Sequence, residues 1–132
     1  MARVLIVDDT DIVRRALELA VRRMGHTAVS TSSPEQALAL AGSELPDLAL
    51  VDYRMPGMNG GELFHAMRAA LGERCPRVLF VSATPADEIA RALEPVERPA
   101  GYVRKPFTLD ELVRVVTGAL GLAPPARSVA TG

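Results

Sequence analysis

RVLIVDD, residues 3–9, decides the fold. Val4, Leu5, Ile6 and Val7 are apolar, three of them β-branched, and two acids end the run. So short a stretch, apolar on both faces, reads as a strand buried on both sides, as in a parallel sheet. Over residues 11–24 the period changes. Val13, Leu17, Ala20 and Met24 share one helical face, while Arg14, Arg15, Glu18, Arg22 and Arg23 are mostly turned elsewhere. Gly25 then stops the helix as a C′ residue should.

The same alternation recurs four more times. Residues 26–30 read as a second, weaker strand. Ser33 before Pro34 reads as an N-cap with proline at the first helical position, opening a helix to about Ala41. Leu48 to Val51 is a third strand, and a loop from Tyr53 to Gly60 leads to a helix carrying Leu63, Phe64, Met67 and Leu71 that ends near Gly72. Val78 to Val81 is the fourth strand, followed by a short helix from about Pro85 to Leu93 that Pro95 cuts off. Gly101 to Val103 is the fifth. The last helix, 108–120, has Thr108 as N-cap, Glu111 at the capping-box position, and Leu109, Leu112, Val113, Val116 and Leu120 on its apolar face. Five strand–helix rounds predict an α/β, flavodoxin-like, doubly wound five-stranded parallel sheet of order 2-1-3-4-5 with five helices. Residues 1–121 form the expected domain, and 122–132 a flexible C-terminal tail or linker.

At 132 residues the chain suits one domain. Fifteen basic and 16 acidic side chains leave a net charge of −1, which lacks the basic footprint of a nucleic-acid binder. No stretch approaches the ~18 apolar residues of a membrane span, and the opening apolar run is too short for a signal peptide. Cys75 is the single cysteine, so no internal disulfide forms and a reducing, cytoplasmic setting is expected.

In such sheets ligands bind beyond the carboxyl ends of the strands. The first strand ends in Asp8-Asp9, the third in Asp52, the fourth in Ser82, and Lys105-Pro106 follows the fifth. In the predicted order these strands are neighbours, so three carboxylates, a hydroxyl and an ammonium should converge. Three carboxylates repel, and a hard divalent cation relieves the conflict. All-oxygen ligands suit Mg²⁺, with lysine and hydroxyl left to hold phosphate oxygens. That combination is the equipment of phosphoryl transfer, which is largely positioning and charge neutralisation. Singly, each residue has a plainer reading: Asp8-Asp9-Thr10 as a helix cap, Asp52 as a turn residue, Ser82 as an N-cap, Lys105 as a surface charge.

Together, DD after the first strand, DYRMPGMNG from Asp52, VSA around Ser82 and YVRKPF around Lys105 resemble the response-regulator receiver family. The spacing is 43 residues from Asp9 to Asp52, 30 to Ser82 and 23 to Lys105, and the likeness runs from residue 3 to about 120. It implies Asp52 as the phosphoacceptor, Asp9 as a direct Mg²⁺ ligand, Asp8 acting through metal-bound water, and the Arg54 backbone carbonyl as a further ligand. Ser82 would bond the phosphoryl group and shift toward it, Lys105 would pair with a phosphate oxygen, and Tyr102 would move inward after Ser82. Pro106 would follow a cis peptide bond, and Gly60 occupies the glycine position of the loop after the acceptor. Arg54 and Thr84 stand where the family tunes phosphate lifetime, Arg54 being long enough to cover the phosphoryl group.

The partners so implied are a histidine kinase or phosphotransfer protein and a downstream target or a missing output domain. Three rivals are a Mg²⁺-dependent phosphatase with an aspartyl-phosphate intermediate, a flavodoxin-like nucleotide or flavin carrier, and a receiver that binds partners without being phosphorylated. The phosphatases carry a second acid two residues after the nucleophile, where this chain has Arg54, and a flavin carrier needs a Gly- or Ser/Thr-rich loop where it has Asp8-Asp9. Two prolines in the segment 94–99 predict an irregular exit from the fourth helix, on a surface that in this family usually delivers output.

Overall fold

The computed structural model of the chain describes residues 1–93 and 98–122. The elements are β1 (Arg3–Val7), α1 (Asp11–Arg23), β2 (Thr27–Thr31), α2 (Pro34–Glu44), β3 (Leu48–Val51), α3 (Gly60–Leu71), β4 (Arg77–Ser82), α4 (Ala86–Ala92), β5 (Gly101–Arg104) and α5 (Leu109–Ala119), with a 3₁₀ turn at Gly72–Arg74 before β4. All strand pairs are parallel and the order is β2-β1-β3-β4-β5, as the alternation predicts.

The unbroken apolar strands are explained by two cores, one on each sheet face. Val4, Ile6, Leu48, Leu50, Leu79 and Val81 point to one face, where Leu17 and Val21 of α1 and Leu112 and Val116 of α5 cover them. Leu5, Val7, Ala49, Val51, Val78 and Phe80 point to the other, under Ala37 and Ala41 of α2, Leu63, Phe64 and Met67 of α3, and Ile89 of α4. Each fully buried side chain of this kind contributes about 1.5–3 kcal/mol of transfer free energy. Leu109, expected on the apolar face of α5, is instead half-exposed in the first turn.

The expected caps form at Ser33, whose hydroxyl accepts from Gln36 N–H, and at Thr108, in a reciprocal box with Glu111. A second box, Asn59 with Glu62, starts α3. Helix α2 runs three residues past the expected stop. It ends at Leu45, which holds a left-handed φ of 47° and whose N–H donates to the Ala41 carbonyl. A leucine there gives no sequence signal, because left-handed backbone ordinarily selects glycine or asparagine. Helix α4 has only seven residues, in keeping with the prolines after it. The expected irregular exit falls mostly on residues 94–97, and the expected tail on 123–132, outside the described residues.

Candidate functional site

Backbone hydrogen bonding sets the level of the site. The parallel ladders continue one residue past each strand: Asp8 N–H donates to the Thr31 carbonyl (3.2 Å), Asp52 N–H to Val7 (2.9 Å) and Lys105 N–H to Ser82 (2.9 Å). Three chain segments far apart in sequence thus turn off the sheet on one rim. There, oxygens of Asp8, Asp9 and Asp52 lie within 4.8 Å of one another. Asp8 and Asp52 are buried and Asp9 is exposed.

Lys105 bridges the two buried acids. Its ammonium donates to Asp8 Oδ2 at 2.8 Å and to Asp52 Oδ2 at 3.2 Å. Burial alone would lower its pKa. The Asp8 hydrogen bond, the charges of Asp52 and Asp8, and the Asp52 hydrogen bond together outweigh burial and raise it. The other Asp8 oxygen accepts from Thr10 N–H at 2.9 Å, and Arg14 donates to the Asp8 carbonyl at 2.8 Å. The cap reading of this segment is therefore half right. Thr10 is the N-cap of α1 but makes no side-chain cap bond, and Asp8 orders the turn while keeping one oxygen for Lys105.

Three carboxylates facing one ammonium leave excess negative charge at a mostly buried spot. An all-oxygen anionic donor set of this kind fits a hard divalent cation such as Mg²⁺. Asp8, Asp9 and Asp52 are the side chains that would hold it.

The remaining expected residues surround this cluster. Ser82 is buried at the end of β4, and its hydroxyl accepts from Thr84 N–H at 3.2 Å. Thr84 is buried as well, and among the described residues its hydroxyl has no partner. Arg54 points its guanidinium to Glu88 of α4, 2.9 Å away, in an exposed ion pair, rather than over Asp52. Tyr102 is half-buried and stacks on Phe80 with ring centroids 6.2 Å apart. The Lys105–Pro106 peptide is cis, as expected. Gly60 is packed so tightly that an added Cβ would lie 2.5 Å from the Asp52 carbonyl oxygen.

Sequence reasoning did not foresee Arg14, Arg104 or Glu88 at this rim. Arg104 Nε donates to the Ala83 carbonyl at 2.9 Å. No motif marks Arg14 and Arg104, which donate to backbone carbonyls, or Glu88, whose cation Arg54 is 34 residues away. The Asn59-x-x-Glu62 box, which the sequence reading passed over, carries a capping pattern that could have marked the start of α3.

Fold and site together define a doubly wound domain with a lysine-bridged acidic cluster at its strand ends. The model of the response regulator receiver domain matches residues 4–117, and the chain belongs to that family. The regulatory protein AtoC of Escherichia coli K12 is 40% identical over 121 residues, covering 91% of this chain and 25% of AtoC. NtrC of Salmonella typhimurium is 32% identical over 118 residues, covering 89% of this chain and 24% of NtrC. Among solved structures, the chemotaxis protein CheY4 of Vibrio cholerae superposes with a TM-score of 0.82 at 25% identity, covering 90% of this chain and 98% of that one. The signal receiver domain of NarL from Mycobacterium tuberculosis gives 0.76 at 31% identity, covering 91% and 96%. The chain spans 25%, 51% and 24% of the first curated relatives it matches. Among the described residues, no helix is long and apolar enough to cross a membrane.

Proposed function

We propose that the domain is the phosphoacceptor of a two-component system and that Asp52 carries the phosphoryl group. The observation that supports this most is the Lys105 ammonium held between Asp8 and Asp52 at the rim of the sheet. In the proposed reaction a carboxylate oxygen of Asp52 attacks the phosphorus of a phosphohistidine on a kinase or phosphotransfer partner. The O–P bond forms as the N–P bond breaks, and the imidazole nitrogen leaves with the electron pair. Asp8, Asp9, Asp52 and the Arg54 carbonyl would hold Mg²⁺, which would supply neutralisation of the phosphoryl charge. Lys105 swings its ammonium from the carboxylates to a phosphoryl oxygen, and the Ser82 hydroxyl donates a hydrogen bond to another.

The switch follows from that donation. Ser82 moves toward the phosphoryl group, Tyr102 settles inward behind it, and the altered surface is read by a downstream protein or an output domain. Hydrolysis of the acyl phosphate resets the state at a rate set in part by Arg54 and Thr84. The domain shares in the chemistry of its own phosphorylation without being an enzyme in the turnover sense. Residues 1–121 act as the unit, with 122–132 as tail or linker, and the cytoplasm is the setting this role implies. A phosphatase using an aspartyl phosphate fits less well: the position of its second acid holds Arg54, already paired with Glu88.

The test is incubation with Mg²⁺ and a small phosphodonor such as acetyl phosphate, read by intact mass. A gain of one phosphoryl group in wild type and none in Asp52→Asn is the expected result. Equal modification of both proteins would remove Asp52 from the role.

A further inference from the structure

The loop that carries Ser82 is fastened to its neighbour strand by one removable side chain. Ser82, Ala83 and Thr84 leave the end of β4, and two carbonyls of this turn are held from β5. Lys105 N–H takes the Ser82 carbonyl at 2.9 Å, and Arg104 Nε takes the Ala83 carbonyl at 2.9 Å. The first bond continues the sheet. The second is made by an exposed side chain that the sheet does not require.

Two further observations describe what this fastening maintains. The Ser82 hydroxyl is turned to Thr84 N–H, and the Thr84 hydroxyl is buried without a partner among the described residues. Beside them lies a cavity of about 20 Å³, lined in part by Phe80, Ser82, Thr84, Tyr102 and Arg104. The turn is therefore held in a place that leaves one hydroxyl unsatisfied by protein and space next to Tyr102.

We propose that Arg104 is a positioning residue, a latch that holds the Ser82–Thr84 turn in its resting position and so sets how readily Ser82 engages the phosphoryl group. The inference rests on the phosphoacceptor reading of Asp52. A ligand that favours the moved turn must break the Arg104 bond, so the latch opposes phosphoryl binding by whatever that bond contributes. Its removal raises the population of the moved turn, and with it the apparent affinity for a phosphoryl mimic, by about fivefold for one exposed hydrogen bond.

The experiment uses the full chain as wild type, Arg104→Met and Arg104→Lys. Each is titrated with beryllofluoride in the presence of Mg²⁺, while the backbone amides of Ser82, Ala83 and Thr84 are followed by ¹⁵N NMR. The latch predicts that unliganded Arg104→Met shows these amides displaced part of the way toward their positions in the beryllofluoride-loaded wild type. It also predicts that this variant binds the mimic about fivefold tighter, and that lysine, which keeps a donor and the charge, restores wild-type behaviour. Unmoved amides with unchanged affinity overturn the latch, as does weaker binding with amides displaced off that line. A wild type that takes up no beryllofluoride overturns the phosphoacceptor reading itself, so the two failures are distinguishable.

Discussion

Lys105 Nζ lies 2.8 Å from Asp8 Oδ2, joining residues 97 apart in sequence. The Asp8 side chain is almost fully buried, at 1% exposure, and among the described residues this ammonium is the cation paired with it. A buried carboxylate stripped of its cation bears a desolvation cost that the Thr10 N–H bond to Asp8 relieves only in part. Lys105→Ala is therefore expected to lose about 1–3 kcal/mol in urea unfolding without divalent cations. Mg²⁺ should stabilise this variant more than wild type, because the ammonium no longer competes for the same oxygens. Equal Mg²⁺ gains in both proteins would contradict the competition.

Gly60 is a packing requirement of the acceptor position. An added Cβ would meet the Asp52 carbonyl oxygen at 2.5 Å, Tyr53 Cα at 2.9 Å and the Phe80 ring at 3.0 Å, two of them backbone atoms. Gly60→Ala must push α3 away from β3, at about 2–3 kcal/mol. Thermal unfolding should show the loss, and phosphoryl uptake should slow because Asp52 moves with its own carbonyl. Gly118→Ala, where a Cβ meets nothing within 4 Å, is the matched control.

His26 gives a pH dependence remote from the site. It is buried at the start of β2, and its Nδ1 accepts from Ala2 N–H at 3.0 Å. Burial and the positive N-terminus lower its pKa, against a smaller opposing pull from Asp47. A histidine depressed in the folded state contributes stability that is present above its unfolded pKa of about 6.5 and is lost as pH falls through the lowered folded value. Urea midpoints should therefore decline below about pH 6.5, more steeply in wild type than in His26→Gln. Parallel pH profiles would remove His26 as the cause.

Arg54 separates stability from signalling lifetime. Its ion pair with Glu88 is 71% and 47% exposed at the two side chains, so Arg54→Ala should change stability by no more than about 0.5 kcal/mol. The same change frees the loop after β3 from α4, so the decay rate of the aspartyl phosphate should shift while its formation persists. Identical decay in wild type and variant would show that the side chain plays no part in resetting.

The order of elements was legible because the central strands β1, β3 and β4 are buried on both faces and so read as unbroken apolar runs, while the partly buried edge strands β2 and β5 give the weaker signal. The boundaries were legible where a local rule applies: Ser33 before Pro34 and Thr108 with Glu111 at helix starts, and Gly25, whose φ is 90°, at a helix stop. Leu45 broke that rule, since its left-handed backbone is a local cost borne by the surrounding fold. The acids at 8, 9 and 52 and the lysine at 105 could be named as a group because parallel topology sends all carboxyl ends to one rim.

What the chain alone determined, then, is which residues arrive at the rim, because strand periodicity and topology are properties of local pattern. How they pair there was decided only by the tertiary structure. Lys105 sits between two acids, Arg104 holds the carbonyl of Ala83, and Arg54 turns to Glu88 rather than to Asp52. Such contacts depend on side-chain reach and desolvation across elements tens of residues apart, and no local pattern encodes a distance between two helices or the depth at which a charge is buried.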